Sequence, residues 1–337
     1  MSTSPPSRSA PATAPRSLVR RLLIWLAVGV FVLFDVAAAY ATFAYSRYNN
    51  AQPAERACRD CATPLHINGY ELYARQLGTD TTRPPVIVVH GGPGHSLLSF
   101  RRSLDFLAAD RRVLYYDQRG SGNSQSTTRV ADYQVDSLVE ELEAIRRDVL
   151  HADRIVLVGH SFGSALVQRY ALRYRAHLDR LVIVGGIRLN NGMTNRWVWT
   201  YLGPALYSFA MGIPKGTGDA ADAWFTQSAN ADNETRLYDR TRRALLDSTG
   251  TVSFAAWRSI SLSLVGDARE NELRAMDAPT LIAWGGADSP YTGQPTAEAI
   301  CALLPRCTTA GFARSGHWPF LEEPDAFQKV VGEFVRR

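Results

Sequence analysis

The sequence predicts an α/β fold: a mostly parallel β-sheet with helices on both faces, an inserted helical cap, and one apolar helix ahead of the sheet. From about residue 65 onward, short β-branched runs alternate with runs of helical periodicity, as in parallel sheets that are covered on both faces. The runs at 181–184 and 279–284 lie too far apart for a single crossover helix. A long apolar segment at 22–45 precedes them all.

Size and composition are those of a globular protein. The chain has 337 residues, of which 46% are hydrophobic and 20% charged, and this excludes disorder over most of its length. The formal net charge of +5 is spread along the chain without a dense basic block. We therefore expect no nucleic-acid partner.

The N-terminal region predicts a membrane segment. Residues 1–21 are predicted to form a disordered tail that ends in basic residues, and residues 22–45 are apolar apart from Asp35 and one threonine. A helix of that length spans about 36 Å, enough for a hydrocarbon core of about 30 Å. Basic residues before the segment predict a transmembrane signal anchor with the rest of the chain outside the cytoplasm. The alternative is a signal peptide cleaved near 39–41, which leaves a secreted or periplasmic protein.

The four cysteines form two local groups. Cys58 and Cys61 lie in a linker at 46–64, and Cys301 and Cys307 lie near the C-terminus. In an oxidising compartment each local pair can form a disulfide, although four cysteines allow three connectivities. A zinc or redox site is the alternative, but ligands at zinc spacing and a thioredoxin-like context are both missing from the sequence. We expect no metal.

The first part of the core is predicted over residues 65–186. It opens with a hairpin at 66–77 that turns at Asn68-Gly69. The β-branched runs that predict parallel strands are 85–90, 112–116, 154–158 and 181–184. Apolar residues at helical spacing predict helices at 136–150 and 164–174.

The cap is predicted over residues 187–274, and the core resumes over 275–337. The resumed core is predicted to hold a strand at 279–284, a helix that ends at 300–304 and a final helix at 324–335. The cap contains four of the seven tryptophans, namely Trp197, Trp199, Trp224 and Trp257. Because ligands bind at the carboxyl ends of strands in such sheets, we expect this aromatic segment to cover the site.

The motif Gly-His-Ser-Phe-Gly at 159–163 follows a predicted strand and opens a predicted helix. A sharp strand-to-helix turn of this kind holds its serine in a strained conformation, and the glycines let neighbouring backbone pass close by. The serine needs a base, and this architecture has the chain order serine, acid, histidine. Asp288 follows a predicted strand, and His317 is the one histidine well downstream. We predict a catalytic triad of Ser161, Asp288 and His317.

An oxyanion hole requires two backbone N–H groups that face the tetrahedral intermediate. The N–H of Phe162, directly after the serine, is one candidate. The second is expected from the loop His-Gly-Gly-Pro-Gly at 90–94, where Gly92 is the first choice and Gly91 the second. His90 is expected to brace this loop.

Two of these segments carry a family resemblance. Residues 65–186 together with 279–324 resemble an α/β-hydrolase. Within that fold, His-Gly-Gly-Pro-Gly at 90–94 and Asp-Gln-Arg-Gly-Ser-Gly-Asn-Ser at 117–124 resemble the proline iminopeptidases. The resemblance implies a serine exopeptidase with a helical cap in this place and a structural role for Asp117 and Arg119. The residue after the serine departs from the family pattern, which usually has tryptophan there.

The resemblance also implies that cap carboxylates bind the free amine of the substrate. The acidic candidates in the predicted cap are Asp222, Glu234, Glu270 and Glu272. The predicted function is a serine hydrolase that acts through an acyl-enzyme and releases an N-terminal residue from small peptides, without a metal or organic cofactor. The alternative is a carboxylesterase or lactonase acting on small or apolar acyl esters. A non-catalytic binding protein on the same scaffold is a third hypothesis.

Overall fold

The computed structural model describes residues 16–49, 55–100, 102–189, 200, 202–206, 212, 218–246, 250–266 and 268–337. Most of the predicted tail, part of the linker, and a segment of the cap with Trp197 and Trp199 lie outside the described residues. The predicted domain boundaries, 187–274 for the cap among them, stay predictions.

The N-terminal helix α1 spans Arg16–Asn49 and contains the predicted apolar segment. Its stretch Leu18–Tyr48 has a mean hydropathy of 2.5 and is 0% buried over its most apolar window. By length and composition it can cross a membrane. Its last turns differ from the rest, because Ala44 and Tyr48 are buried there and Tyr48 packs against Phe254 of the predicted cap.

Nine strands are described. They are β1 (Leu65–Ile67), β2 (Tyr70–Leu72), β3 (Ala74–Leu77), β4 (Val86–Val89), β5 (Val113–Tyr116), β6 (Ile155–His160), β7 (Leu178–Val184), β8 (Thr280–Gly285) and β9 (Cys307–Phe312). Seven of them form one sheet in the order β3-β5-β4-β6-β7-β8-β9. Only β3 runs antiparallel to its neighbour, so the prediction of a mostly parallel sheet is confirmed.

The predicted hairpin at 66–77 divides into two parts. β1 and β2 pair with each other around Asn68 and Gly69, which have φ of 50° and 83°, as a two-residue hairpin turn requires. The remaining strand, β3, leaves the hairpin and pairs with β5 at the edge of the main sheet.

The α-helices after α1 are α2 (Val135–Ala144), α3 (Phe162–Arg173), α4 (Asp219–Thr235), α5 (Phe254–Ser263), α6 (Gln294–Cys301), α7 (Pro319–Glu322) and α8 (Pro324–Arg336). Short 3₁₀ helices lie at Leu97–Ser99, Asp105–Ala109, Val130–Asp132, Arg175–His177, Arg240–Leu245 and Arg269–Ala275, and a π-helical turn at Ile145–Val149 extends α2.

The core lies on both faces of the sheet. Alternate residues of β4 belong to opposite clusters, with Ile87 and Val89 on one face and Val86 and Val88 on the other. Helices α2, α3 and α6 cover the first face, and α8 covers the second. Such strands must be apolar on both sides, which explains their continuous β-branched sequence.

Both local cysteine pairs form disulfides, Cys58–Cys61 in the linker and Cys301–Cys307 between α6 and β9. Helices α4 and α5 lie in the chain between β7 and β8 and share an aromatic cluster with the end of α1. Its buried members are Tyr48, Ala221, Phe225, Ala229, Val252 and Phe254.

Candidate active site

Ser161 occupies the sharp turn between β6 and α3. Its φ of 54° and ψ of −120° are strained for a residue with a side chain. The turn is tight on both sides, because a Cβ on Gly159 would lie 2.5 Å from the carbonyl oxygen of Gly163. A Cβ on Gly163 would in turn lie 2.4 Å from the carbonyl oxygen of Val89. The glycines of the motif are therefore required by close backbone approach.

Asp288 and His317 lie side by side at the carboxyl end of the sheet. Asp288 follows β8 and its side chain is fully buried, and Nδ1 of His317 lies 2.8 Å from its Oδ2. Burial alone would raise the pKa of Asp288, but the hydrogen bond and charge of His317, together with nearby Arg236, outweigh it and lower the pKa. The carboxylate is therefore ionised and accepts the Nδ1–H of His317.

His317 is poised as a neutral imidazole. Burial is the largest influence and lowers its pKa, and the charge of Arg236 lowers it further against the opposing effect of Asp288. Its Nε2 is buried and has no hydrogen-bond partner among the described residues. Ser161 and His317 line the same cavity of about 360 Å³. The structure thus brings the two residues to one cavity but does not form the hydrogen bond between them.

The loop at 90–94 is braced by His90, as expected. Its Nδ1 lies 2.8 Å from the Gly91 carbonyl oxygen, and its Nε2 accepts the N–H of Gln118 at 3.1 Å. Burial lowers the pKa of His90 to about 3, so the ring is neutral with its proton on Nδ1. Because the Gly91 carbonyl points at this ring, the N–H of the same peptide unit, which belongs to Gly92, points the opposite way. Gly91 and Gly92 both line the cavity.

The segment 117–124 makes structural contacts. The buried carboxylate of Asp117 accepts the N–H groups of Leu97 and Asn123 at 2.6 and 2.8 Å, and its pKa is raised to about 6 by burial. Arg119 forms a buried ion pair with Glu141 at 2.9 Å. Neither Asp117 nor Arg119 lines the cavity that contains Ser161.

The four cap carboxylates predicted to bind an amine lie elsewhere. Asp222 is buried, accepts the N–H of Phe254 and is ion-paired with Arg56. Glu270 is ion-paired with Arg188. Glu234 and Glu272, like these two, are not part of the cavity wall. None of the four lines the cavity that contains Ser161, so their role in amine binding stays a prediction without support from this cavity wall.

Asp232 and Arg236 are cavity residues that the sequence interpretation missed. Phe225, Ala229, Asp232, Asn233 and Arg236 all line the cavity. Their spacing of three or four residues is that of one helix face. Helix α4 and Arg236, the residue directly after it, present that face to Ser161. The Asp232 carboxylate is exposed and has no hydrogen-bond partner among the described residues. The helical periodicity from Phe225 onward was the signal that could have found them.

Comparison with known proteins identifies the family of this chain. The model of the α/β hydrolase fold family matches residues 84–324, and the chain therefore belongs to the α/β-hydrolase fold family. Among the described residues, no three His, Cys, Asp or Glu side chains are grouped to hold a metal ion.

Curated relatives include proline iminopeptidases. That of Thermoplasma volcanium is 24% identical over 287 residues, covering 81% of this chain and 96% of the relative. That of Heyndrickxia coagulans is 25% identical over 302 residues, covering 80% and 97%. The 2-hydroxy-6-oxo-2,4-heptadienoate hydrolase of Pseudomonas putida is 27% identical over 254 residues, covering 74% and 88%. The resemblance to proline iminopeptidases is confirmed.

Solved structures similar to this chain include an enol-lactonase from Burkholderia xenovorans, with a TM-score of 0.64, 18% identity and coverage of 81% of this chain and 100% of that one. A thermophilic esterase from Thermogutta terrifontis has a TM-score of 0.63 and 20% identity, with coverage of 81% and 96%. At these identities the likeness concerns the fold.

Proposed function

We propose that the protein is a serine hydrolase that acts through an acyl-enzyme as a proline iminopeptidase-like aminopeptidase on small peptides. The observation that carries the proposal is the buried Asp288–His317 pair, whose histidine lines the same cavity as a strained Ser161. The proline iminopeptidase relatives cover four fifths of the chain and support the peptidase reading.

In the proposed mechanism, Nε2 of His317 removes the proton of Ser161 as its Oγ attacks the substrate carbonyl. A rotation of the serine side chain makes the missing hydrogen bond, since such contacts tighten in the substrate complex. Asp288 orients the imidazole and stabilises its cation. The N–H groups of Gly92 and Phe162 hold the oxyanion, the latter as the first residue of α3 with no acceptor inside its helix. His317 then protonates the leaving amine and activates water for deacylation.

The cavity wall supports recognition of a free N-terminal residue. Asp232 is the carboxylate of that wall, and its unpartnered, exposed oxygens are available to a substrate ammonium. Phe225 and Trp257 contact each other in the same wall, with ring centroids 4.7 Å apart and ring planes tilted by 44°, and provide apolar surface for a prolyl ring. An esterase or lactonase activity is the second candidate, favoured by the apolar part of this wall and by Phe162 in place of the tryptophan usual in proline iminopeptidases.

We also propose that α1 is a signal anchor and that the domain after it lies outside the cytoplasm. The length and exposed apolar surface of α1 support the anchor, and the two disulfides support an oxidising compartment. A cleaved signal peptide remains the alternative, and cleavage near 39–41 would retain Tyr48 on the cap.

The test compares three substrates of the full-length protein in detergent: a free-amine prolyl arylamide, its N-acetylated form, and a short-chain aryl ester. We expect cleavage of the free-amine amide that is lost on acetylation, and no turnover by Ser161→Ala. Ester cleavage alone would favour the second candidate. Comparable turnover by Ser161→Ala, or a fluorophosphonate probe that fails to label Ser161, would refute the serine mechanism.

A further inference from the structure

The segment directly after α4 is hydrogen-bonded to the loop that contains His317. The carbonyl oxygen of Arg236 accepts the N–H of His317 at 2.9 Å. A Cβ on Gly316 would lie 1.9 Å from that same oxygen, so the two backbones are in direct contact. Farther along, Arg242 donates to the carbonyl oxygens of Glu322 and Leu321 at 2.9 and 3.3 Å.

The side chain of Arg236 reaches back into the acid–base pair. Its Nη2 lies 3.3 Å from Oδ1 of Asp288, 2.9 Å from Oγ1 of Thr292 and 2.9 Å from Nδ1 of His317. Since Asp288 is ionised, Nδ1–H of His317 donates to its Oδ2. The guanidinium hydrogens are then directed to Thr292 and to Oδ1 of Asp288, which also accepts the N–H of Ser289 at 2.8 Å. Oδ1 is thus contacted both by the backbone of the core and by the side chain of Arg236 from the cap.

We infer that Arg236 is a positioning residue of the cap. Its guanidinium keeps the side chains of Asp288 and His317 in their hydrogen-bonded arrangement, and its charge sets the lowest pH at which His317 can act as a base. The inference rests on the proposed function, because it assigns Asp288 and His317 to the triad. It adds a residue that neither the motif nor the chain order of the triad contains.

The charge of Arg236 acts on His317, which has few other charged side chains around it among the described residues. The groups that face His317 are Asp288, Arg236, Asp232 and the buried imidazoles of His160 and His95. Burial lowers the pKa of both of these imidazoles, to about 4 for His95, so they are neutral. Two carboxylates thus favour the imidazolium form of His317, and Arg236 is the single cation among these groups that opposes it.

The experiment measures kcat/KM against pH, because its acid limb reports the pKa of the base in the free enzyme. Loss of the positive charge in Arg236→Gln should move the acid limb to higher pH by about one unit. The variant should therefore lose about tenfold activity at the foot of the limb, with a smaller loss on the plateau. Arg236→Lys keeps the charge and should keep the limb near its wild-type position.

The matched control is Arg242→Gln, which loosens the same loop through its backbone carbonyls without removing a charge beside His317. Its acid limb should stay in place. An unchanged limb in Arg236→Gln with uniformly reduced activity would overturn the inference, as would an equal shift in Arg242→Gln or in Arg236→Lys. If Arg236→Gln does not fold, Thr292→Val, which removes the hydrogen-bond partner of the guanidinium, should shift the limb in the same direction by less. No shift there would count against the inference.

Labelling of Ser161 by a fluorophosphonate distinguishes failure of the proposed function from failure of the inference about Arg236. If the wild-type protein is not labelled, the proposed function fails and the inference with it. If the wild type is labelled and turns over substrate but Arg236→Gln shows no shift, the inference alone fails.

Discussion

The two sides of the cavity are held in different ways. On the core side, Ser161 and the loop at 90–94 are fixed by backbone, with glycines where a Cβ would collide, and Asp288 is fully buried. On the cap side, the cavity is lined by the side chains of Asp232 in α4 and of Arg236 directly after it. Both residues are partly exposed to solvent. We therefore expect the core to fix the geometry of attack on the substrate carbonyl, and the cap to determine which substrate is held and, through Arg236, the pH range of activity.

The largest effect is expected on the core side. Asp288→Asn should lower kcat by about 10⁴-fold, because an amide neither holds the Nδ1–H tautomer nor stabilises the imidazolium. Burst kinetics with an activated ester would measure it. Asp277→Asn, which changes the aspartate at the opposite end of β8, is the control. A loss of less than tenfold in Asp288→Asn would place the triad acid elsewhere.

The oxyanion loop should show the next largest effect. Gly92 has φ of 121°, and a Cβ there would lie 2.8 Å from the backbone nitrogen of His95. Gly92→Ala should therefore displace the proposed donor and reduce kcat by about 10²-fold. Gly69→Ala is the matched control, since it also has a positive φ, 83°, but nothing within 4 Å of its Cβ. Equal losses in both variants would show that backbone strain, not the donor, matters.

The cap side should affect selectivity more than chemistry. Asp232→Asn should reduce kcat/KM for the free-amine prolyl arylamide by about tenfold or more, through loss of a charge-assisted contact. Ester hydrolysis should hardly change, because an ester without an amine does not use that carboxylate. Glu234→Gln, on the same helix but outside the cavity, is the control. An equal loss on ester and amide would remove Asp232 from amine recognition.

The strands were predictable where the signal is local: those around 85–90 and 154–158 follow from apolar runs. The triad of Ser161, Asp288 and His317 was predicted from a motif and the chain order of the fold, and its catalytic role stays a prediction. β9 was not assigned to particular residues. It is the edge strand of the sheet, and most of its residues are partly or fully exposed, so its sequence lacks an apolar run.

The positions of Asp232 and Arg236 in the cavity wall depend on tertiary contacts, which is why the sequence did not indicate them. Which face of α4 meets the cavity is decided by the packing of Phe225 and Ala229 against α5 and Tyr48, and acidic composition does not contain that information. Asp222 illustrates the difficulty. It is one of the acidic cap residues, but its carboxylate is ion-paired with Arg56 and accepts the N–H of Phe254 at the start of α5.

The smallest effect is expected from substitutions at the end of α1, and it tests whether the cap side of the cavity acts on substrate binding alone. Tyr48 packs edge-on against Phe254 with ring centroids 5.4 Å apart, and Phe254 contacts Phe225 and Trp257 of the cavity wall. Tyr48→Ala should therefore raise KM a few-fold, on the order of 1 kcal/mol for one aromatic pair, and leave kcat nearly unchanged. Phe43→Ala, which removes an exposed ring from the same helix, should change neither constant. If Tyr48→Ala instead lowered kcat with KM constant, the cap would take part in the chemistry, and the division between the two sides of the cavity would not hold.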